Sequence, residues 1–88
     1  PFLERELALI RRCLVADRPV LCVCLGAQLL AHAAGATVHP NHAPGDPGTR
    51  VREVGWFPID LHGTASDPML LGLPPRTMQL HWHGDTFD

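Results

Sequence analysis

The sequence contains no lysine. All 7 basic residues are arginines, scattered among 9 acidic ones, for a formal net charge of −2. With no basic stripe, nothing marks a nucleic-acid footprint. No apolar run approaches the ~18 residues that a membrane span requires, so no membrane segment is expected. Cysteine is scarce and odd in number. Cys13, Cys22 and Cys24 include two in one apolar run, which argues against a secreted disulfide scaffold and predicts a cytoplasmic protein. Internal repeats and low-complexity tracts are missing as well. What remains is 88 residues, 45% hydrophobic and 18% charged, too apolar and too weakly charged for intrinsic disorder. A chain of this length makes one domain at most and buries only about 60–65% of its unfolded surface. It is helix-like within a few residues of Pro1, and it ends at Asp88 just after an aromatic, histidine-rich stretch. We therefore expect residues 1–88 to be a single partial domain, incomplete at both ends.

Leu3, Leu7, Ile10 and Leu14 recur at spacings of four, three and four, one apolar stripe along a helix. Glu4 and Glu6 near its start and Arg11 and Arg12 near its end follow the order that the helix dipole favours. Asp17-Arg18-Pro19 breaks it. Residues 20–24 are apolar without alternation, the pattern of a central parallel strand covered on both faces. A second helical stretch follows over 28–34, with Gly35 where a left-handed cap belongs. Residues 36–39 read as a short strand and 41–48 as a loop dense in Pro and Gly. Residues 50–56 and 77–82 alternate as strands, with Arg50 and Arg52 on a solvated face. Asp67 and Pro68 suit the N-cap and first position of one helical turn. Trp56 and Phe57, and the group Met69, Leu70, Leu71 and Leu73, are expected in a core. Helix, strand, helix and further strands make an α/β pattern.

The informative junction is Val20-Leu21-Cys22-Val23-Cys24-Leu25-Gly26-Ala27-Gln28. A buried strand ends at a thiol, and a helix begins within two residues, the layout of a nucleophile elbow. A sharp turn there lifts the side chain into the cleft at the carboxyl end of the strand. Unpaired N–H groups at the helix start favour the thiolate of Cys24. The Leu25 N–H is placed to donate to a developing oxyanion. A Cβ at Gly26 is expected to crowd the turn. Cys22 and Cys13 read as core.

The segment 19–31 resembles the nucleophile segment of class I, triad-type glutamine amidotransferases, whose usual pattern is G-[IV]-C-[LFY]-G-x-Q. Gly35-Ala36, the run from Glu53 to Ile59, Asp67-Pro68 with Gly72-Leu73-Pro74, and His81-Trp82-His83-Gly84-Asp85 follow in the order of the branch resembling the amidotransferase domain of GMP synthase. The resemblance spans nearly the whole chain and implies a flavodoxin-like open, mostly parallel α/β sheet with flanking helices. It implies that Cys24 attacks the γ-carboxamide of glutamine to form a γ-glutamyl thioester and release ammonia, with Leu25 as backbone oxyanion donor. Gln28 and Gly26, together with the turn His83-Gly84-Asp85, are then the substrate-binding residues. Glutamine is the substrate, and a synthase domain or subunit accepts the ammonia. No cofactor and no metal are implied.

Three departures accompany the resemblance. Cys22 stands where the elbow pattern has its first Gly, the family's second oxyanion loop has no counterpart here, and no His-x-Glu motif supplies a base with its carboxylate. His83 falls in the substrate loop and is not taken as the base. The strand pairs His81/His83 and Cys22/Cys24 lack the usual spacing of a zinc site. His39, His42 and His62 are expected to be solvated. The isolated chain is expected to lack glutaminase activity. Two other readings share these residues: a γ-glutamyl hydrolase or transferase of the same fold, and a non-catalytic remnant or binding module lacking the base.

Overall fold

The computed structural model describes residues 2–88. Among them, two helices lead, α1 (Phe2–Val15) and α2 (Leu25–Ala33). Six strands follow: β1 (Val38–Pro40), β2 (His42–Ala43), β3 (Asp46–Arg50), β4 (Glu53–Asp60), β5 (Arg76–His83) and β6 (Asp85–Phe87). The chain divides into two compact units. One extends to Arg52 and takes in His83–Asp88; the other is Glu53–Trp82.

In the first unit, α1, which carries the apolar stripe, packs against α2. Ile10 at its middle is 7% exposed, the one buried hydrophobic residue among those described. Leu7 is half-buried, while Leu3 and Leu14 at the two ends stay exposed, so the stripe is covered only at its centre. Both helices stop in the same way. Asp17 takes a left-handed φ of 50°, its N–H donates to Leu14 O, and Arg18 N–H reaches Cys13 O at 2.9 Å. Gly35 takes φ 98°, its N–H donates to His32 O, and Ala36 N–H reaches Ala31 O at 2.9 Å. This double bond pattern satisfies carbonyls that a helix end otherwise leaves orphaned. It confirms Gly35 as the expected cap.

Residues 18–23 form no regular element, and Leu21 and Val23 are 76% and 75% exposed. This corrects the expectation of a central strand covered on both faces. A strand exists only through ladder bonds to a neighbour, and none of the described strands pairs with this segment. The strands instead form three separate two-stranded sheets, β1–β6, β2–β3 and β4–β5. The α/β composition is as expected, whereas an open parallel sheet is not seen among the described residues.

β1 and β6 run antiparallel, with Val38 opposite Phe87 and Pro40 opposite Asp85. Residues 41–48, expected as a loop, contain a hairpin in which His42 pairs with Arg50 and Ala43 with Asp46. Its turn is Pro44-Gly45, with Gly45 at φ 76°, the residue order a type II turn requires. A bulge between His42 and Ala43 offsets the two strands.

In the second unit, β4 and β5 are hydrogen-bonded neighbours, and Leu61 N–H donates to Pro75 O at 2.8 Å beyond their ends. Asp67 Oδ1 accepts from Met69 N–H at 2.9 Å, the capping role expected of it, over a turn too short to be a helix. Trp56 and Met69 are 67% and 68% exposed, and Phe57, Leu71 and Leu73 are exposed as well, so the expected core is not formed there. A two-stranded sheet with one loop has too little volume to enclose large side chains. No helix among the described residues is long and apolar enough to cross a membrane.

Candidate active site

Cys24 is the N-cap of α2, with φ 54° and ψ −118°. Holding a residue with a Cβ at positive φ costs of order 1–3 kcal/mol and persists only where the surroundings over-determine it. Three bonds do so here. Gly26 N–H donates to Val23 O at 2.9 Å, and Cys24 O accepts from Ala27 N–H at 2.9 Å and Gln28 N–H at 3.2 Å. The Leu25 N–H takes no part in these bonds and lies in the first turn of the helix, where backbone donors and the helix dipole favour an anion. The thiol of Cys24 is exposed, Cys22 and Cys13 are half-buried, and none of the three forms a disulfide.

Gly26 is not sterically obligatory, contrary to the expectation of a crowded turn. A Cβ there would meet Cys22 Cβ at 3.6 Å, an ordinary van der Waals contact. The turn is made tight by the backbone of Cys24, and Gly26 already has a helical course that alanine can follow.

Gln28 lies one helical turn after Cys24 and is half-buried. Its Nε2 donates to the carbonyl of Asp85 at 3.1 Å. The same carbonyl accepts from His83 Nδ1 at 2.9 Å, which places a proton on that nitrogen. The turn His83-Gly84-Asp85 is thus joined to α2, as the grouping of these residues into one substrate region requires. It is also held from its other side. Gly84 O accepts from Asn41 N–H at 2.9 Å, Asn41 O accepts from Val51 N–H at 2.8 Å, and Arg50 Nη2 donates to Asp85 Oδ1 at 3.2 Å. A Cβ on Gly84 would sit 3.3 Å from Arg52 Cγ, so glycine is what lets the arginine stem lie against the turn. Sequence reasoning left Asn41, Arg50 and Arg52 outside the site. The only signal for Arg50 was an acidic residue in the distant turn with no local partner.

His62 is exposed, as expected, whereas His39 and His42 are more engaged than a solvated reading allows. His39 and His42 stack with centroids 6.0 Å apart and planes 8° from parallel, and both are half-buried. His39 Nδ1 donates to Pro40 O at 2.9 Å and Nε2 lies 3.0 Å from Asp88 Oδ2. These contacts correct the solvated reading of the pair, since the β1–β6 ladder brings His39 up to Asp88. The hydrogen bond to the Pro40 carbonyl, and then the Asp88 carboxylate, raise the His39 pKa above the ordinary 6.5. In the second unit His81 Nδ1 is 3.0 Å from Glu53 Oε2, and its ring meets that of Phe57 at 5.2 Å.

Comparison with known proteins bears on this arrangement. The family profile described as glutamine amidotransferase class-I matches residues 1–88. The imidazole glycerol phosphate synthase subunit HisH 2 of Parasynechococcus marenigrum is 35% identical over 69 residues, covering 68% of this chain and 32% of that protein. A glutamine-hydrolysing GMP synthase of Thermomicrobium roseum is 39% identical over 70 residues, covering 80% of this chain and 11% of that protein. The crystal structure of a glutamine amidotransferase from Thermotoga maritima superposes on the whole chain with a TM-score of 0.80 at 35% identity, and the match covers 34% of that chain. The chain therefore spans about a third or less of the length of these relatives.

Proposed function

The chain belongs to the class-I glutamine amidotransferase family, and from that premise we propose that it carries the nucleophile and part of the glutamine pocket of a glutaminase. The observation that carries the reading is the strained backbone of Cys24 at the N-terminus of α2. A residue held at positive φ between an extended segment and a helix presents its side chain outward, as a nucleophile elbow demands.

In the reaction, the Cys24 thiolate adds to the γ-carbonyl carbon of glutamine. The oxygen that becomes negative is met by the Leu25 N–H. Collapse breaks the C–N bond, the nitrogen leaves as ammonia after gaining a proton, and a γ-glutamyl thioester remains on Cys24. Water then adds to the thioester and releases glutamate and the thiol. The balance is glutamine plus water to glutamate plus ammonia. Gln28 and the turn His83-Gly84-Asp85 hold the substrate backbone, with Gly26 letting it approach the helix start.

A general base must take the thiol proton and return one to ammonia. His83 falls in the proposed substrate turn, and no His-x-Glu motif occurs in the 88 residues. The isolated chain is accordingly proposed to be a binding and nucleophile segment without glutaminase turnover. The residues read as one partial domain of a flavodoxin-like fold. Ammonia passes to a synthase domain or subunit, a reading supported by relatives named as a synthase subunit and as glutamine-hydrolysing GMP synthases. A reducing, cytoplasmic setting suits three cysteines outside any disulfide.

The test is labelling with a diazoketone analogue of glutamine. In the full-length protein it should modify Cys24, spare Cys13 and Cys22, and be blocked by glutamine. Modification elsewhere removes the elbow assignment. Glutamate release by the 88-residue chain that vanishes in Cys24→Ser would overturn the proposed lack of turnover.

A further inference from the structure

We infer that Arg50 is a positioning residue for glutamine binding, acting through the carboxylate of Asp85; this rests on the glutaminase reading above. The Asp85 carbonyl accepts both Gln28 Nε2 at 3.1 Å and His83 Nδ1 at 2.9 Å, so its orientation sets the direction of two side chains of the pocket at once. A carbonyl turns with its peptide plane, and a residue whose side chain is anchored has less freedom to turn. Arg50 Nη2 provides that anchor, donating to Asp85 Oδ1 at 3.2 Å. The two residues are 35 positions apart, and the ion pair joins the end of β3 to the start of β6.

The surroundings make this more than an incidental surface pair. Arg52 lies against Gly84 closely enough that any Cβ there would come within 3.3 Å of its Cγ. Arg50 Nη2 comes within 4.0 Å of the same would-be Cβ. Asn41 fixes the Gly84 carbonyl at 2.9 Å. The turn is thus gripped at Gly84 by main chain and at Asp85 by side chain, and Arg50 supplies an ionic part of the grip. The bond is single rather than forked, so an ammonium can replace the guanidinium where charge alone matters. Arg50 is paired with Asp85 in the proposed substrate turn. It should alter how well the pocket holds glutamine and leave the chemical step alone.

The experiment measures Cys24 labelling by the diazoketone analogue across a range of its concentration, in the full-length protein. Arg50→Ala should raise the half-saturating concentration by up to about fivefold, the size of an exposed ion pair. The limiting rate should stay within about twofold of wild type, as should the rate of alkylation by iodoacetamide, which needs no pocket. Arg50→Lys should recover most of the loss. An unchanged half-saturation in Arg50→Ala, a fall confined to the limiting rate, or no recovery in Arg50→Lys would each overturn the assignment. Arg50→Gln keeps a polar stem without the charge and is judged by the same criteria if Arg50→Ala does not fold. Wild-type labelling that neither saturates nor yields to glutamine would overturn the glutaminase reading first, and the role of Arg50 with it.

Discussion

At the scale of single residues, Cys24 adopts a backbone conformation that side chains with a Cβ rarely take. The strain should be recoverable. Cys24→Gly is expected to stabilise the protein by about 1 kcal/mol, because glycine reaches positive φ without a steric cost. Cys24→Ser should leave stability nearly unchanged, since it keeps the Cβ. Paired denaturant titrations of the two variants check this, and equal stabilities would show that the φ of 54° stores no strain. Gly26 makes the opposite point. With 3.6 Å available for a Cβ, Gly26→Ala should be tolerated and should raise stability by roughly 0.5–1 kcal/mol through helix propensity. A destabilisation seen in the same titration would mean that the turn is tighter than its contacts suggest.

At the scale of elements, two polar groups in short strands have pKa values shifted in opposite directions. The His39 pKa is raised, chiefly by its hydrogen bond to the Pro40 carbonyl and then by Asp88. Its contribution to β1–β6 pairing is therefore complete below the ordinary histidine value and is lost as pH rises through the raised one. The Asp46 pKa is lowered, first by the Thr49 hydroxyl and then by the Gly48 N–H. Its contribution to the start of β3 is present above the ordinary carboxylate value and is lost as pH falls through the lowered one. Amide exchange followed by NMR should accordingly show β6 protection weakening toward alkaline pH. Protection at Gly48 should weaken only in strong acid. The same direction at both places would exclude this assignment of the two groups.

The elements also show which sequence signals were sufficient. Both helices are legible, the first from its apolar stripe and charge order and the second from Gly35 at its end. Asp17 at φ 50° and Gly35 at φ 98° end them by the same bonding pattern, although only Gly35 announces itself by residue type. The hairpin of β2 and β3 has the sequence signature of a loop, since Pro44 and Gly45 signal a turn while strands of two and five residues are too short to show alternation. Residues 20–24 have the composition of a central strand, yet composition cannot supply the neighbouring strand that makes a ladder.

At the scale of the whole chain, apolar surface is left uncovered on both units. Leu21, Val23, Trp56, Met69 and Trp82 are each between 67% and 76% exposed, and Ile10 is the one buried hydrophobic residue among those described. The 88-residue chain on its own should therefore bind a hydrophobic dye such as ANS strongly and melt without a sharp transition, as expected where little apolar area is withdrawn from water. A cooperative thermal transition with no dye binding would show that the chain closes these faces by itself.

The sequence by itself determined the helices and their ends, because each depends on residues within one or two turns of chain. It also marked Cys24 and the turn His83-Gly84-Asp85 as candidate site residues through its resemblance to the family. Only the tertiary structure decided what holds that turn. Gln28 and Asp85 are 57 positions apart and Arg50 and Asp85 are 35 apart. Their meeting depends on β1 pairing antiparallel with β6 in the register that sets Pro40 opposite Asp85. Periodicity reports which face of a segment is apolar, and pairing between distant segments is chosen by the free energy of the folded chain as a whole.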